Sequence, residues 1–171
     1  LDIFTIRQHL GQVAGKRVLI VGDILHSRVA RSNIWGLTKL GAAVMVCGPP
    51  TLIPVGLEKL GVTVVENLDE VLPLANVVNV LRIQLERQKA GMFPTLREYT
   101  RRWGITGERL ALMRPDALLM HPGPANLGVE ISEEATLDRR SVIREQVTNG
   151  VAVRMAVLYL LSGGERHELA D

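Results

Sequence analysis

Five short apolar runs recur along this 171-residue chain, and segments with helical spacing separate them. The runs are continuously apolar, which is typical of strands that are buried on both faces of a parallel sheet. Strands that alternate with helices predict an α/β fold, here a doubly wound, Rossmann-like parallel sheet with helices on both faces. Right-handed crossovers and a single reversal predict the strand order 3-2-1-4-5. The predicted strands are residues 16–23, 43–47, 62–65, 77–81 and 117–120.

The segments between these runs predict the helices, and a length of 171 residues favours one domain. No capping side chain precedes the first apolar residues, so we expect the sequence to begin inside a helix, as a fragment of a longer protein would. Residues 82–107 are irregular and charged, which fits either a solvated loop with one short helix or a flap over a site. The last helix is apolar on nearly every side, so we expect an exposed apolar patch in this chain alone. The first predicted helix ends near Gly11 or Gly15, and further helices are predicted over residues 28–40, 52–60, 69–75, 95–103, 132–137 and 144–161.

Composition excludes several classes of function. A net charge of +2 argues against a general nucleic-acid binder, and 4% aromatic residues argue against base-stacking surfaces. The single cysteine, Cys47, and four scattered histidines predict no disulfide framework and no metal site. The turn after the first strand lacks the second and third glycines of a dinucleotide fingerprint. No run is long enough to span a bilayer and no signal peptide is recognisable, so we expect no membrane partner and a cytoplasmic location.

Two arginines and an amide follow the predicted strands at one edge of the sheet. Arg28 comes after the first strand, and Arg82 and Gln84 come after the fourth. Ligands of such sheets bind beyond the carboxyl ends of the strands, near the reversal in strand order. Two neighbouring arginine forks repel each other unless an anion lies between them, so their joint placement predicts a site for a small dicarboxylate. Glu86 would hold the Arg82 guanidinium if this segment turns helically.

The fifth predicted strand ends in the turn His121-Pro122-Gly123-Pro124. Two prolines stiffen the backbone, and Gly123 permits the close approach of a ligand. The residues alone leave open whether this is a structural turn or one whose carbonyl groups face a ligand. A nucleophile built on Ser27 with His26, or on His121, is a weaker interpretation. Ser27 suits a helix cap, and His121 suits a turn residue with a backbone hydrogen bond.

Four segments together resemble the catalytic chain of the aspartate transcarbamoylases. The resemblance extends over the whole chain, so residues 1–171 are expected to form a single aspartate-binding domain. The family's carbamoyl-phosphate domain, with its Ser-Thr-Arg-Thr-Arg and His-Pro-Thr-Gln motifs, has no counterpart in this sequence. The segments that carry the resemblance are residues 22–33, 81–87, 121–124 and 146–154.

The resemblance implies roles for the residues already singled out. Arg28, Arg82 and Gln84 would bind the carboxylates of L-aspartate. The turn residues Pro122, Gly123 and Pro124 would contact carbamoyl phosphate or the attacking amine. The implied reaction transfers a carbamoyl group to the aspartate amine in pyrimidine synthesis, with no cofactor or metal and with no catalytic side chain assigned to this half. The intact chain would form a homotrimer, with regulatory or dihydroorotase chains as further partners.

Comparison with the related ornithine enzymes favours an aspartate-type acceptor. Those enzymes carry a His-Cys-Leu-Pro turn and a Ser-Met-Gly loop, which this chain replaces at residues 121–124 and 82–84. One departure from the aspartate-type pattern is Leu127, where that family usually has arginine. Two alternatives use the same sequence features: a non-catalytic module that senses an anionic metabolite, and an oligomerisation or scaffolding domain.

Overall fold

A five-stranded parallel sheet forms the centre of the protein. The structure, a computed structural model, describes residues 1–84 and 95–163. The strand order is β3-β2-β1-β4-β5, and every neighbouring pair is parallel, which confirms the predicted topology. In the register of the sheet, Val18 of the first strand lies between Val44 and Val77. The strands are β1 (Arg17–Val21), β2 (Ala43–Cys47), β3 (Val62–Val65), β4 (Val77–Val80) and β5 (Leu118–Met120).

Both faces of the sheet are covered, which explains why the strands are apolar without alternation. In β1, Leu19 and Val21 enter one core cluster, whereas Val18 and Ile20 enter the other. Helices α1 and α2 contribute to the second cluster, and α3 to α6 contribute to the first. The helices are α1 (Asp2–Leu10), α2 (Arg28–Lys39), α3 (Leu68–Val71), α4 (Leu96–Trp103), α5 (Gly107–Leu112), α6 (Glu133–Leu137) and α7 (Ile143–Leu161).

Side-chain caps begin four of these helices. The Ser27 hydroxyl accepts the Ala30 N–H at 3.1 Å, and Ser132 caps α6 in the same way. Asn67 caps α3, and Thr95 caps α4. Each cap satisfies a backbone N–H that has no partner within its helix. The cap predicted at Ser27 is confirmed.

The segment between β2 and β3 differs from the prediction. The prediction of one helix over residues 52–60 is wrong, because the chain forms two short 3₁₀ helices, Pro50–Leu52 and Leu57–Leu60. Pro54 lacks an N–H donor, and Gly56 adopts a left-handed conformation at φ 75°, so a continuous helix cannot form. Helix α5 was not predicted, because six residues are too few to show a clear period.

Helix α1 is joined to the rest of the domain by buried polar contacts. The Asp2 carboxylate, 5% exposed, accepts amide N–H groups from Asn33 at 2.6 Å and from Gln146 at 2.7 Å. One turn further along, Asn149 of α7 donates to the Thr5 hydroxyl at 3.0 Å. A satisfied buried network of this kind fixes the relative positions of its elements. Helices α1, α2 and α7 are therefore held together at one place.

The second half of α7 is exposed. Its buried residues are confined to the first half of the helix, at Gln146, Asn149 and Gly150. Beyond them the apolar side chains lie on the surface, which confirms the predicted apolar patch; Leu158 is 61% exposed. None of the helices in the described parts of the chain has the length and apolar character needed to cross a membrane. The exposed apolar patch comprises Val151, Met155, Val157, Leu158, Leu160 and Leu161.

We expect this patch to cause self-association of the chain. Replacing Leu158 and Leu161 with glutamate would place charges in the patch and shift the protein towards monomer. Sedimentation velocity over a concentration series, together with binding of a dye that reports exposed apolar surface, measures this. Leu137→Glu is the matched control, because Leu137 is equally exposed but lies on α6. A monodisperse wild-type monomer at high concentration, without dye binding, would contradict the prediction.

Candidate functional site

A cleft of about 620 Å³ opens at the carboxyl edge of the sheet, where the strand order reverses between β1 and β4. Its walls come from the turn after β1, the segment after β4, the turn after β5 and helix α7. The structure brings together all the predicted binding residues that it describes: Arg28, Arg82, Gln84, Pro122, Gly123 and Pro124. The predicted partner of Arg82, Glu86, lies outside the described residues. The parallel topology thus brings residues that are distant in sequence together at the carboxyl edge of the sheet, as expected for such sheets.

Close contact between two turns shapes the first wall of the cleft. Gly22 ends β1 with φ 123°, a conformation that favours glycine, and its N–H donates to Cys47 O at 2.8 Å. A Cβ at Gly48 would overlap the carbonyl oxygen of Gly22. The two glycines therefore let the chain turn directly into the Ser27 cap, and this turn places Arg28 at the first position of α2.

The cleft is strongly positive. Four arginines line it, and Asp23 is the one carboxylate in the described part of its wall. Arg31 and Arg154 were not among the predicted site residues. Arg31 lies three residues after Arg28 and therefore on the same side of α2, a signal that helical spacing could have given. A cleft with this charge attracts anions and disfavours cations.

The residues after β4 combine charge with an unpaired amide oxygen. Arg82 and Gln84 are half-buried, whereas Arg28 is exposed. Gln84 Oε1 is buried, and no donor in the described parts of the chain hydrogen-bonds to it. A buried acceptor without a donor costs about 1–3 kcal/mol. An N–H group from a ligand would remove this penalty.

The turn after β5 is held by the His121 side chain, which is fully buried. The Gly123 N–H donates to His121 Nδ1 at 2.9 Å, so in the neutral ring Nε2 carries the proton and donates to Glu130 Oε1 at 3.2 Å. The backbone N–H of His121 donates to Gln146 Oε1 at 3.0 Å. The peptide bond before Pro124 is cis. The prediction of His121 as a turn residue with a backbone hydrogen bond is confirmed.

Glu130 and Asn126 connect this turn to the segment after β4. Glu130 is fully buried, and its carboxylate accepts the backbone N–H of Asn126 at 2.6 Å and the side-chain amide at 3.1 Å. The same side-chain amide of Asn126 donates to the carbonyl of Ile83 at 2.9 Å. Ile83 separates Arg82 from Gln84, so the network joins two walls of the cleft. Sequence reasoning missed both residues, since an acid in a glycine-containing loop normally lies on the surface.

Two buried titratable groups, Tyr99 and Cys47, belong to the core cluster to which α3 to α6 contribute. Burial raises the pKa of the Tyr99 hydroxyl well above its usual range, and the negative charges of Glu130 and Asp23 add to the effect. Burial also raises the pKa of the Cys47 thiol to about 12, which confirms Cys47 as a buried strand-end residue. The predicted helix is confirmed as α4 (Leu96–Trp103), and its residues Tyr99 and Trp103 anchor it in the core. Within residues 1–84 and 95–163, no group of three potential ligands could hold a metal ion.

Comparison with known proteins finds one matching family. Residues 14–161 match the family described as aspartate/ornithine carbamoyltransferase, Asp/Orn binding domain. The chain is 63% identical over 171 residues to the aspartate carbamoyltransferase catalytic subunit of Desulforamulus reducens, covering all of this chain and 55% of the relative. It is 62% identical over 164 residues to the corresponding subunit of Moorella thermoacetica, covering 96% of this chain and 53% of that one. The chain therefore spans about half the length of the curated relatives it matches.

Solved structures show the same fold. Aspartate transcarbamoylase from Trypanosoma cruzi in complex with N-(phosphonacetyl)-L-aspartic acid superimposes with a TM-score of 0.79 at 28% identity, over 92% of this chain and 53% of that chain. Ornithine carbamoyltransferase from Pyrococcus furiosus has a TM-score of 0.79 at 25% identity, over 96% of this chain and 55% of that chain. With most of its length matched by the family model, this chain belongs to the aspartate/ornithine carbamoyltransferase family.

Proposed function

We propose that this chain is the aspartate-binding half of an enzyme that transfers the carbamoyl group of carbamoyl phosphate to the amine of L-aspartate. The observation that carries the proposal is the convergence of Arg28 and Arg82 on one cleft. Each guanidinium fork matches one carboxylate of a dicarboxylate. The family includes ornithine enzymes as well, but a cationic side chain would be repelled by a cleft lined with four arginines.

The remaining cleft residues suit the rest of the substrate. Gln84 can donate to a carboxylate through Nε2 and accept from an ammonium through Oε1. The stiff turn of Pro122, Gly123 and Pro124 would contact carbamoyl phosphate or the attacking amine. The amine would attack the carbamoyl carbon and phosphate would leave, a reaction that calls on no metal or organic cofactor.

The other half of the active site belongs, in this proposal, to a carbamoyl-phosphate domain outside residues 1–171. Two observations support that division: the chain spans about half of its curated relatives, and the far end of α7 presents an apolar patch. The intact enzyme would be a cytoplasmic homotrimer in pyrimidine synthesis, with regulatory or dihydroorotase chains as further partners. No catalytic side chain is assigned to this half.

Titration with L-aspartate and with succinate tests the proposal. We expect Arg82→Ala and Arg28→Ala each to weaken binding of both ligands about 10- to 100-fold, because a hydrogen bond to a charged group contributes about 1.5–3 kcal/mol. Calorimetry, or chemical-shift changes where binding is weak, measures the affinity. Arg7→Ala is the control, since Arg7 is exposed on α1 and does not line the cleft. Unchanged affinity in both cleft variants would contradict the proposal and favour a scaffolding role.

A further inference from the structure

A histidine and a buried carboxylate form a pair in the wall of the cleft. Asp23 and His26 lie in the turn between β1 and α2, and both line the cleft. Asp23 is 2% exposed, and its two carboxylate oxygens lie 3.0 and 3.1 Å from His26 Nδ1. The same carboxylate accepts the backbone N–H of His26 at 3.0 Å. Contacts to both the backbone and the ring hold the imidazole in one orientation.

This pair decides which ring nitrogen is available to a ligand. A carboxylate only accepts hydrogen bonds, so in the neutral ring Nδ1 carries the proton and donates to Asp23. Nε2 is then an unprotonated acceptor. No residue in the described ranges 1–84 and 95–163 hydrogen-bonds to Nε2, and the side chain of His26 is 31% exposed. His26 also lines the cleft, so its ring is open to a ligand that binds there.

The other two histidines that the structure describes, His121 and His9, have partners outside the cleft wall around His26. His121 uses both ring nitrogens, for the Gly123 N–H and for Glu130, and it is fully buried. His9 contacts Glu145 at 2.6 Å, away from the cleft. Of the imidazoles that the structure describes, His26 alone lines the cleft.

The charges around His26 leave an amine with few partners. Arg28 and Arg31 from α2, Arg82 after β4 and Arg154 from α7 line the same cleft, and Asp23 is the opposing charge. An ammonium group has three N–H donors and is repelled by guanidinium groups, so it needs acceptors close by. Among the side chains described in this wall, Gln84 Oε1 and His26 Nε2 are acceptors that have no donor.

We propose that His26 Nε2 recognises the amino group of the acceptor substrate and makes the cleft select an amino dicarboxylate over the plain dicarboxylate. The inference rests on the proposed function, because arginine forks hold the carboxylates of both ligands equally well. Asp23 acts through His26, as a positioning residue that fixes the ring and its proton. His26 is thus a specificity-determining residue, because it contacts the amino group, which aspartate has and succinate lacks.

Two substitutions at His26 separate recognition from structure. His26→Asn keeps a donor near the position of Nδ1, and so keeps the Asp23 contact, but removes the acceptor at Nε2. His26→Gln reaches the position of Nε2 with an amide that can accept. We expect His26→Asn to bind L-aspartate about tenfold or more weakly and succinate within about twofold of wild type. His26→Gln should retain most of the aspartate affinity.

A ¹⁵N spectrum of the wild-type imidazoles supplies a readout that needs no variant. The Nε2 resonance of His26 should move when L-aspartate is added and stay in place when succinate is added. Equal losses for both ligands in His26→Asn, or equal shifts of Nε2 with both, would overturn this inference alone. Failure of the wild-type chain to bind either ligand would overturn the proposed function and this inference with it.

Discussion

Purified chain, given carbamoyl phosphate and L-aspartate in excess, is expected to form no carbamoyl-aspartate above a heat-killed control. In the proposed function, the groups that stabilise the transfer step belong to the carbamoyl-phosphate domain, outside residues 1–171. Removing even one preorganised donor of this kind typically costs about 10²–10³ in rate. Loss of the whole set should therefore reduce turnover below detection, although the arginines that we propose as acceptor ligands are present in the cleft.

Adding a separate carbamoyl-phosphate domain provides the positive arm of this experiment. Carbamoyl-aspartate formation should appear when a carbamoyl-phosphate domain from a relative is added, and it should fall again when the added chain carries Arg82→Ala. Turnover by the chain alone would contradict the assignment of the catalytic groups to the other half. Dicarboxylate binding without any restored turnover would favour the alternative of a non-catalytic sensing module.

Glu130→Ala should lower the free energy of unfolding by about 2–5 kcal/mol, because each buried donor left without an acceptor costs about 1–3 kcal/mol. The His121 ring would lose the acceptor for Nε2, and Asn126 would lose the acceptor for its backbone N–H. Since domains are stable by only about 5–15 kcal/mol, the change is a large part of the total. Weakened contact between Asn126 and Ile83 should also loosen the segment that carries Arg82 and Gln84.

Urea unfolding followed by circular dichroism measures this effect. Glu133→Ala is the matched control, since Glu133 is an exposed acid three residues later, in the first turn of α6. Its contribution through the helix dipole is expected to be a few tenths of a kcal/mol up to about 1 kcal/mol. If the two variants unfold at the same urea concentration, the Glu130 network does not stabilise the fold as described.

The sheet and the placement of Arg28 and Arg82 were predictable because both depend on simple rules. Continuous apolarity identified the strands, and parallel topology required the residues that follow β1, β4 and β5 to meet at one edge. Arg28 and Arg82 could therefore be assigned to one cleft before any coordinates were known. Their function as aspartate ligands stays a prediction until binding is measured.

Other features depend on contacts that no local pattern encodes. The hydrogen bond from Asn126 to Ile83 joins loops that lie 43 residues apart in sequence. Neither loop has a sequence pattern from which the contact could be predicted. The His26 ring is oriented by its contact with the Asp23 carboxylate. The sequence around Asp23 does not show that this carboxylate is buried. The helix prediction over residues 52–60 was wrong for a different reason. The apolar spacing favoured a helix there, but Pro54 and Gly56 prevent it.

The buried carboxylate of Asp2 has a mechanical consequence for the cleft. Gln146 donates to Asp2 and, with its other amide atom, accepts the backbone N–H of His121 at the start of the turn. Helix α1, helix α7 and the lip of the cleft at His121 are therefore joined through the single side chain of Gln146. A displacement of α1 or of α7 is therefore expected to shift that lip as well, because both hydrogen bonds are shielded from water.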